Sequence, residues 1–176
     1  MRASGCCILL CAFLIAMPVA AEEEADQIIE HRVAGFRDIG TSFRNMTTEL
    51  KSSRPSIAAV QSNARVISGY TAHIPGWFVP GSEPRAKPAK GWFASLRDWL
   101  FSPNTLAATD DVESHAKPEI WTQRAQFDTA YRNFKTEAET MVRTSQGTDI
   151  AAMKMQLRKL EHTCKACHDT FREDID

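Results

Sequence analysis

The chain has 176 residues, 43% of them hydrophobic and 24% charged, which suits one globular domain and excludes a disordered tail or a multi-domain array. Lys and Arg number 21 against 22 Asp and Glu, a formal charge of -1. There is no basic excess to neutralise a phosphate backbone, so nucleic acid is excluded as a partner class.

Met1 to Ala21 carries Arg2, an apolar run from Cys6 to Met17 and the small-residue ending Pro18-Val19-Ala20-Ala21. That is the pattern of a cleaved secretory signal, cut after Ala20 or Ala21. The run is short for a bilayer span, and Glu22-Glu23-Glu24 follows it without a basic stop-transfer patch. Of the 5 cysteines, Cys6, Cys7 and Cys11 leave with this segment. The exported chain, residues 22–176, keeps Cys164 and Cys167, which is not a multi-disulfide scaffold.

Ile29, Arg32, Phe36, Ile39, Phe43, Met46 and Leu50 recur at alternating gaps of three and four, the stripe of one helical face. All but Arg32 are apolar. After Pro55 the same alternation returns at Ile57, Val60, Ala64, Ile67, Thr71 and Ile74, and Pro75-Gly76 ends it. A crossover follows, with an insertion at about residues 84–114 that is long for a bundle connection. In it, Trp92, Phe93, Leu96, Trp99 and Leu100 fit one face of a short helix. Pro118 and Glu119 suit a first turn, and Ile120, Phe127, Tyr131, Phe134, Ala138 and Met141 form a third stripe ending before Gly147. Thr148 is placed to cap a fourth helix with the stripe Met153, Leu157, Leu160, Cys164, Cys167 and Phe171. Four amphipathic helices with no strand alternation predict an all-α fold, an antiparallel four-helix bundle with a long crossover between its second and third helices.

Cys164-Lys165-Ala166-Cys167-His168 is the c-type haem attachment signature. On a helix, positions 164, 167 and 168 share a face. Two thiols can add to the two haem vinyl groups while the adjoining imidazole reaches the iron from the same side. The other readings are a thioredoxin-like redox pair, half a zinc site or a local disulfide. A redox pair wants a preceding strand and zinc wants two more ligands nearby, whereas this motif lies in a helical stripe. A single motif means one haem c per chain.

The ending Cys164-Lys165-Ala166-Cys167-His168-Asp169-Thr170-Phe171-Arg172 resembles that of the cytochromes c′, periplasmic four-helix-bundle haem proteins. So do the pattern beginning at Arg32, the turn Val79-Pro80-Gly81 and the start Lys117-Pro118-Glu119-Ile120-Trp121. The likeness spans most of residues 26–82 and 115–173; the stretch from about Pro84 to Ser114 is longer than the family usually carries. The resemblance implies that Cys164 and Cys167 form the thioethers and that His168 is the axial iron ligand. It sets Arg172 one turn beyond that ligand, Arg32 beside a haem propionate and Phe36 over the distal face. A lone cation in an apolar stripe agrees with the propionate role, because a buried guanidinium needs an anionic partner. Surface snorkelling is the alternative for Arg32, and plain core packing for Phe36.

Relatives with Leu at the Phe36 position hold five-coordinate iron and those with Met a six-coordinate one; Phe cannot ligate iron. Two functions follow. One is a periplasmic haem protein whose vacant distal site takes nitric oxide or carbon monoxide; the other is a six-coordinate, low-spin electron carrier with periplasmic or membrane redox partners. Catalysis as the main role is set aside, because the stripe around Phe36 supplies no acid–base group other than Arg32. The resemblance further implies a homodimer through the first two helices. His31, His73, His115 and His162 read as surface histidines, with His115 also near enough to the third helix to approach a propionate.

Overall fold

The computed structural model describes residues 17–84 and 114–173, with side chains described from Glu23. The signal-like run up to Ala16 and the aromatic cluster Trp92, Phe93, Leu96, Trp99 and Leu100 lie outside the described residues. The described elements are α1 (Met17–Lys51), α2 (Ile57–Thr71), α3 (Ile74–Trp77), α4 (Glu119–Thr122), α5 (Arg124–Ser145) and α6 (Ile150–Phe171). Among the described residues there is no strand, only an isolated antiparallel bridge between Ala116 and Arg172. The fold is the all-α four-helix bundle expected of the four stripes.

Each stripe is buried where its spacing places it. Ile29, Arg32, Ile39, Met46 and Leu50 are buried along α1, Val60, Ala64, Ile67 and Thr71 along α2, Phe127, Phe134, Ala138 and Met141 along α5, and Met153, Leu157, Leu160 and Phe171 along α6. The turn between α1 and α2 is set by Ser56, whose hydroxyl accepts from the Ala59 amide at 3.2 Å and whose own N–H donates to the Glu49 carboxylate at 3.0 Å.

Three local expectations are corrected. The second stripe does not run unbroken to Ile74: α2 stops at Thr71, and Ile74 opens the one-turn α3, with Pro75 in its first turn where a missing N–H costs no hydrogen bond. The third helix is interrupted at Gln123, whose φ of -114° and ψ of 45° separate α4 from α5. The cap of α6 is Asp149 rather than Thr148. Its carboxylate accepts from the Ala152 amide at 3.0 Å because the first helical residue is Ile150, one position later than a Thr148 cap requires.

α1 packs on α2, α2 on α5 and α5 on α6, while the closing pair, α1 and α6, touch only sparsely. Met46, Leu50, Val60, Ile67, Met141, Met153 and Leu160 are almost wholly removed from water. They come from the late part of α1, early and middle α2, late α5 and early α6, so they close one end of the bundle. Each such side chain contributes about 1.5–3 kcal/mol of burial. The other end, between the middle of α1 and the last turns of α6, stays open to a cavity.

Candidate functional site

That cavity holds about 560 Å³ and is walled by α1 through Arg32, Phe36, Ile39, Gly40 and Phe43, and by α6 through Cys164, Cys167, His168, Phe171 and Arg172. Phe127, Tyr131 and Phe134 of α5, with Ile74 and Phe78, complete its apolar lining. All six residues singled out from the sequence therefore border one space. Its volume falls in the range of roughly 300–1,000 Å³ typical of cofactor sites.

On α6 the motif presents both thiols to the cavity. Cys164 and Cys167 are half-buried and unpaired with each other. Burial pushes the Cys164 thiol up to about 12, with help from the neighbouring Cys167 and Glu161, and burial alone pushes Cys167 up to about 11. Both are protonated at neutral pH, the opposite of the low-pKa thiolate that a redox pair needs. His168 borders the cavity one residue on, and its pKa is lowered, first by desolvation and then by the positive charge of Arg172. Both effects favour the neutral imidazole, the form that binds a metal.

The end of α6 is tied to the segment that leads into α4. The Lys117 N–H donates to the Phe171 carbonyl at 2.9 Å and the Glu173 N–H to the His115 carbonyl at 2.8 Å. Arg172 itself donates its N–H to the His168 carbonyl at 3.0 Å and is exposed. His115 is half-buried and lines the cavity, so it is not the free surface histidine of the sequence reading, whereas His31, His73 and His162 are exposed.

Arg32 is 2% exposed, which removes the snorkelling alternative. One terminal nitrogen donates to the Trp77 carbonyl at 3.1 Å and the Ser82 carbonyl at 3.0 Å, and the other to Ser114 Oγ at 2.8 Å. The guanidinium lies over the rings of Phe78 and Trp121, 4.9 and 5.7 Å from their centroids. Its Nε is buried without a hydrogen-bond partner among the described residues. Burial pulls its pKa down to about 10, against a smaller opposing pull from Glu83, and it remains a cation at neutral pH.

Phe36 is half-buried, packed edge-on against Trp77 at 5.3 Å and tilted against Phe78 at 6.2 Å. Trp77 sits directly on Gly35, where an added Cβ would fall onto the indole. Sequence reasoning missed Phe78 as part of this wall and Trp77 as the ring behind Phe36 because Pro75-Gly76 read as a stop. The signal was the apolar pair immediately after it. Gly81, at φ 91°, makes the turn that returns the chain so that buried Ser82 reaches Arg32.

These residues fit a haem. Two neutral thiols and a neutral imidazole share one helical face against an apolar cavity of suitable size, and a buried cation keeps one N–H unspent on that cavity's wall.

Comparison with known proteins agrees. Cytochrome c-554 of Cereibacter sphaeroides is 30% identical over 160 residues, covering 91% of each chain. The crystal structure of cytochrome c' from Thermochromatium tepidum superposes with a TM-score of 0.68 at 18% identity, covering 85% of this chain and 97% of that one. A ferrous variant of cytochrome c prime from Alcaligenes xylosoxidans with bound NO superposes at 0.64, 20% identical, covering 88% of this chain and 97% of that one. Residues 27–172 match the family model described as Cytochrome C'. The chain belongs to the cytochrome c′ family, and its haem c is covalently held through Cys164 and Cys167.

Proposed function

We propose that this protein is a periplasmic, gas-binding cytochrome c′ in which His168 ligates the iron from the α6 side and the position beneath Phe36 is free for nitric oxide or carbon monoxide. The haem supplies an iron that exchanges electrons and accepts one further ligand. The chain supplies the rest. Cys164 and Cys167 fix the ring to α6, Arg172 biases His168 towards its neutral form, and Arg32 presents its unspent Nε–H to a propionate. The observation that carries the reading is the α1 wall. Phe36, Ile39, Gly40 and Phe43 contribute no group able to ligate iron, and the cations Arg32, Arg37 and Arg44 cannot do so either. The nitric oxide complex of the Alcaligenes xylosoxidans relative supports it by analogy. Residues 1–21 then act as the export signal, 22–176 form the haem domain with its insertion at about 84–114, and the domain pairs as a homodimer.

One observation favours the electron-carrier reading instead: a second imidazole, His115, lines the same cavity. If it reached the iron, the site would be six-coordinate and closed to gases. Titrating the ferrous haem protein with carbon monoxide separates the two. One molecule taken up per chain is the expected result, and no uptake contradicts the proposal in favour of the carrier.

A further inference from the structure

An aromatic chain leads from the cavity wall to the surface between α1 and α2. Phe36 borders the cavity and touches Trp77 at 5.3 Å between ring centroids, and Trp77 lies 6.0 Å from Tyr70. Both are separations at which aromatic rings are in contact. His73 completes the far end, 6.5 Å from Trp77 and 6.3 Å from Tyr70. The Tyr70 hydroxyl donates to the exposed Asp38 carboxylate at 2.5 Å, the short, charge-assisted kind of hydrogen bond. That bond holds the phenolic proton: the Tyr70 pKa is raised, by the hydrogen bond first and then by desolvation and the Asp38 charge.

We propose that Tyr70 is a redox-active tyrosine that gives one electron through Trp77 to a haem oxidised by hydrogen peroxide, while passing its proton to Asp38. This rests on the reading above, in which the iron has a position that peroxide can reach. The Tyr70 O–H bond breaks, an O–H bond forms at Asp38 Oδ2, and a neutral phenoxyl radical remains at the surface. Asp38 returns its proton to water, and a hydrogen-atom donor of the ascorbate class restores the phenol. Two such turns deliver the two electrons and two protons that convert one hydrogen peroxide into two waters. The consequence is protective: oxidising equivalents leave the haem for a surface site where small reductants can quench them.

The chain's other tyrosine is the competing candidate, since Tyr131 lines the cavity itself. Its hydroxyl donates to the Thr71 carbonyl at 3.0 Å. An amide oxygen is too weak a base to take the proton, so an oxidised Tyr131 would be left as a high-energy cation. Asp38 gives Tyr70 the base that Tyr131 lacks.

The test mixes the ferric haem protein with hydrogen peroxide, freezes it, and records the electron paramagnetic resonance spectrum. A nitroso spin trap followed by peptide mass spectrometry locates the radical. The expected result is a tyrosyl signal with the adduct on Tyr70. That signal is lost in Tyr70→Phe, which keeps the ring packing, and weakened in Asp38→Asn, which keeps an acceptor but removes the base. Haem bleaching by peroxide is faster in Tyr70→Phe than in the unaltered protein. An adduct on Tyr131, a signal that survives Tyr70→Phe, or a haem that reacts with peroxide yet yields no tyrosyl signal overturns the proposal. A haem spectrum that peroxide leaves unchanged overturns it too, and in that case also removes the free coordination position.

Discussion

Two side chains on α1 decide what the cavity can do. With Phe36 over the iron, as proposed, the ring would offer no hydrogen bond to a polar bound oxygen and would crowd any ligand that enters beneath it, so a preference for carbon monoxide and nitric oxide over oxygen is expected. Phe36→Ala should speed carbon monoxide association, measured by rebinding after photolysis, while leaving haem attachment intact; an unchanged rate would show that the ring does not cover the iron. Phe36→Met is expected to convert the iron to six-coordinate and low-spin. Arg32 is more than a counter-ion. Its hydrogen bonds to Trp77, Ser82 and Ser114 reach partners 45, 50 and 82 residues away in sequence, on both flanks of the long crossover. Truncating it strands the buried Ser82 carbonyl, at a cost on the order of 1–3 kcal/mol, and removes the tie to Trp77 and Ser114, whose oxygens keep the Ser82 hydroxyl at 3.2 Å and the Ala116 N–H at 3.4 Å. Arg32→Met should therefore lower the urea midpoint of the haem protein, and a midpoint that holds or rises would contradict the clasp. The sequence showed that Arg32 was an exception in its stripe. It could not show the clasp, because nothing local marks Trp77, Ser82 and Ser114 as neighbours.

Among the helices, periodicity was a good guide to faces and a poor one to breaks. The alternating gaps in all four stripes chose the buried residues, since burial of an apolar face outweighs local propensity over a long helix. The interruptions at Ala72-His73 and Gln123 were invisible because a one-turn offset keeps the next apolar residue, Ile74 or Phe127, on the inward face. Gly35 was equally silent. It is needed because the Trp77 ring of α3 lies against the α1 backbone, a contact set by tertiary packing. Gly35→Ala should force the two elements apart at a cost of about 1–3 kcal/mol, seen as a lowered thermal midpoint. Loss of the α6 cap in Asp149→Ala should cost about 0.5–2 kcal/mol by the same measurement. An equal midpoint in either variant would show that the contact is idle.

For the whole molecule, the sparse meeting of α1 and α6 is what makes a haem protein of an ordinary bundle. One end is closed by Met46, Leu50, Met141, Met153 and Leu160, and the other is held open where the two thiols, His168, Arg32 and Phe36 converge. Acidic organic solvent should leave the haem on the denatured polypeptide, whereas Cys164→Ala or Cys167→Ala should weaken or abolish stable maturation. Haem released from the unaltered chain would refute the thioether attachment. The proposed iron is five-coordinate, with His168 on one side and no protein ligand on the other, and the absorption spectrum of the purified ferrous protein decides whether it is. The expected spectrum is high-spin before carbon monoxide and shifts to a six-coordinate, low-spin form after it. A ferrous spectrum already low-spin, and unmoved by carbon monoxide, would show that another residue, with His115 the first to examine, caps the iron.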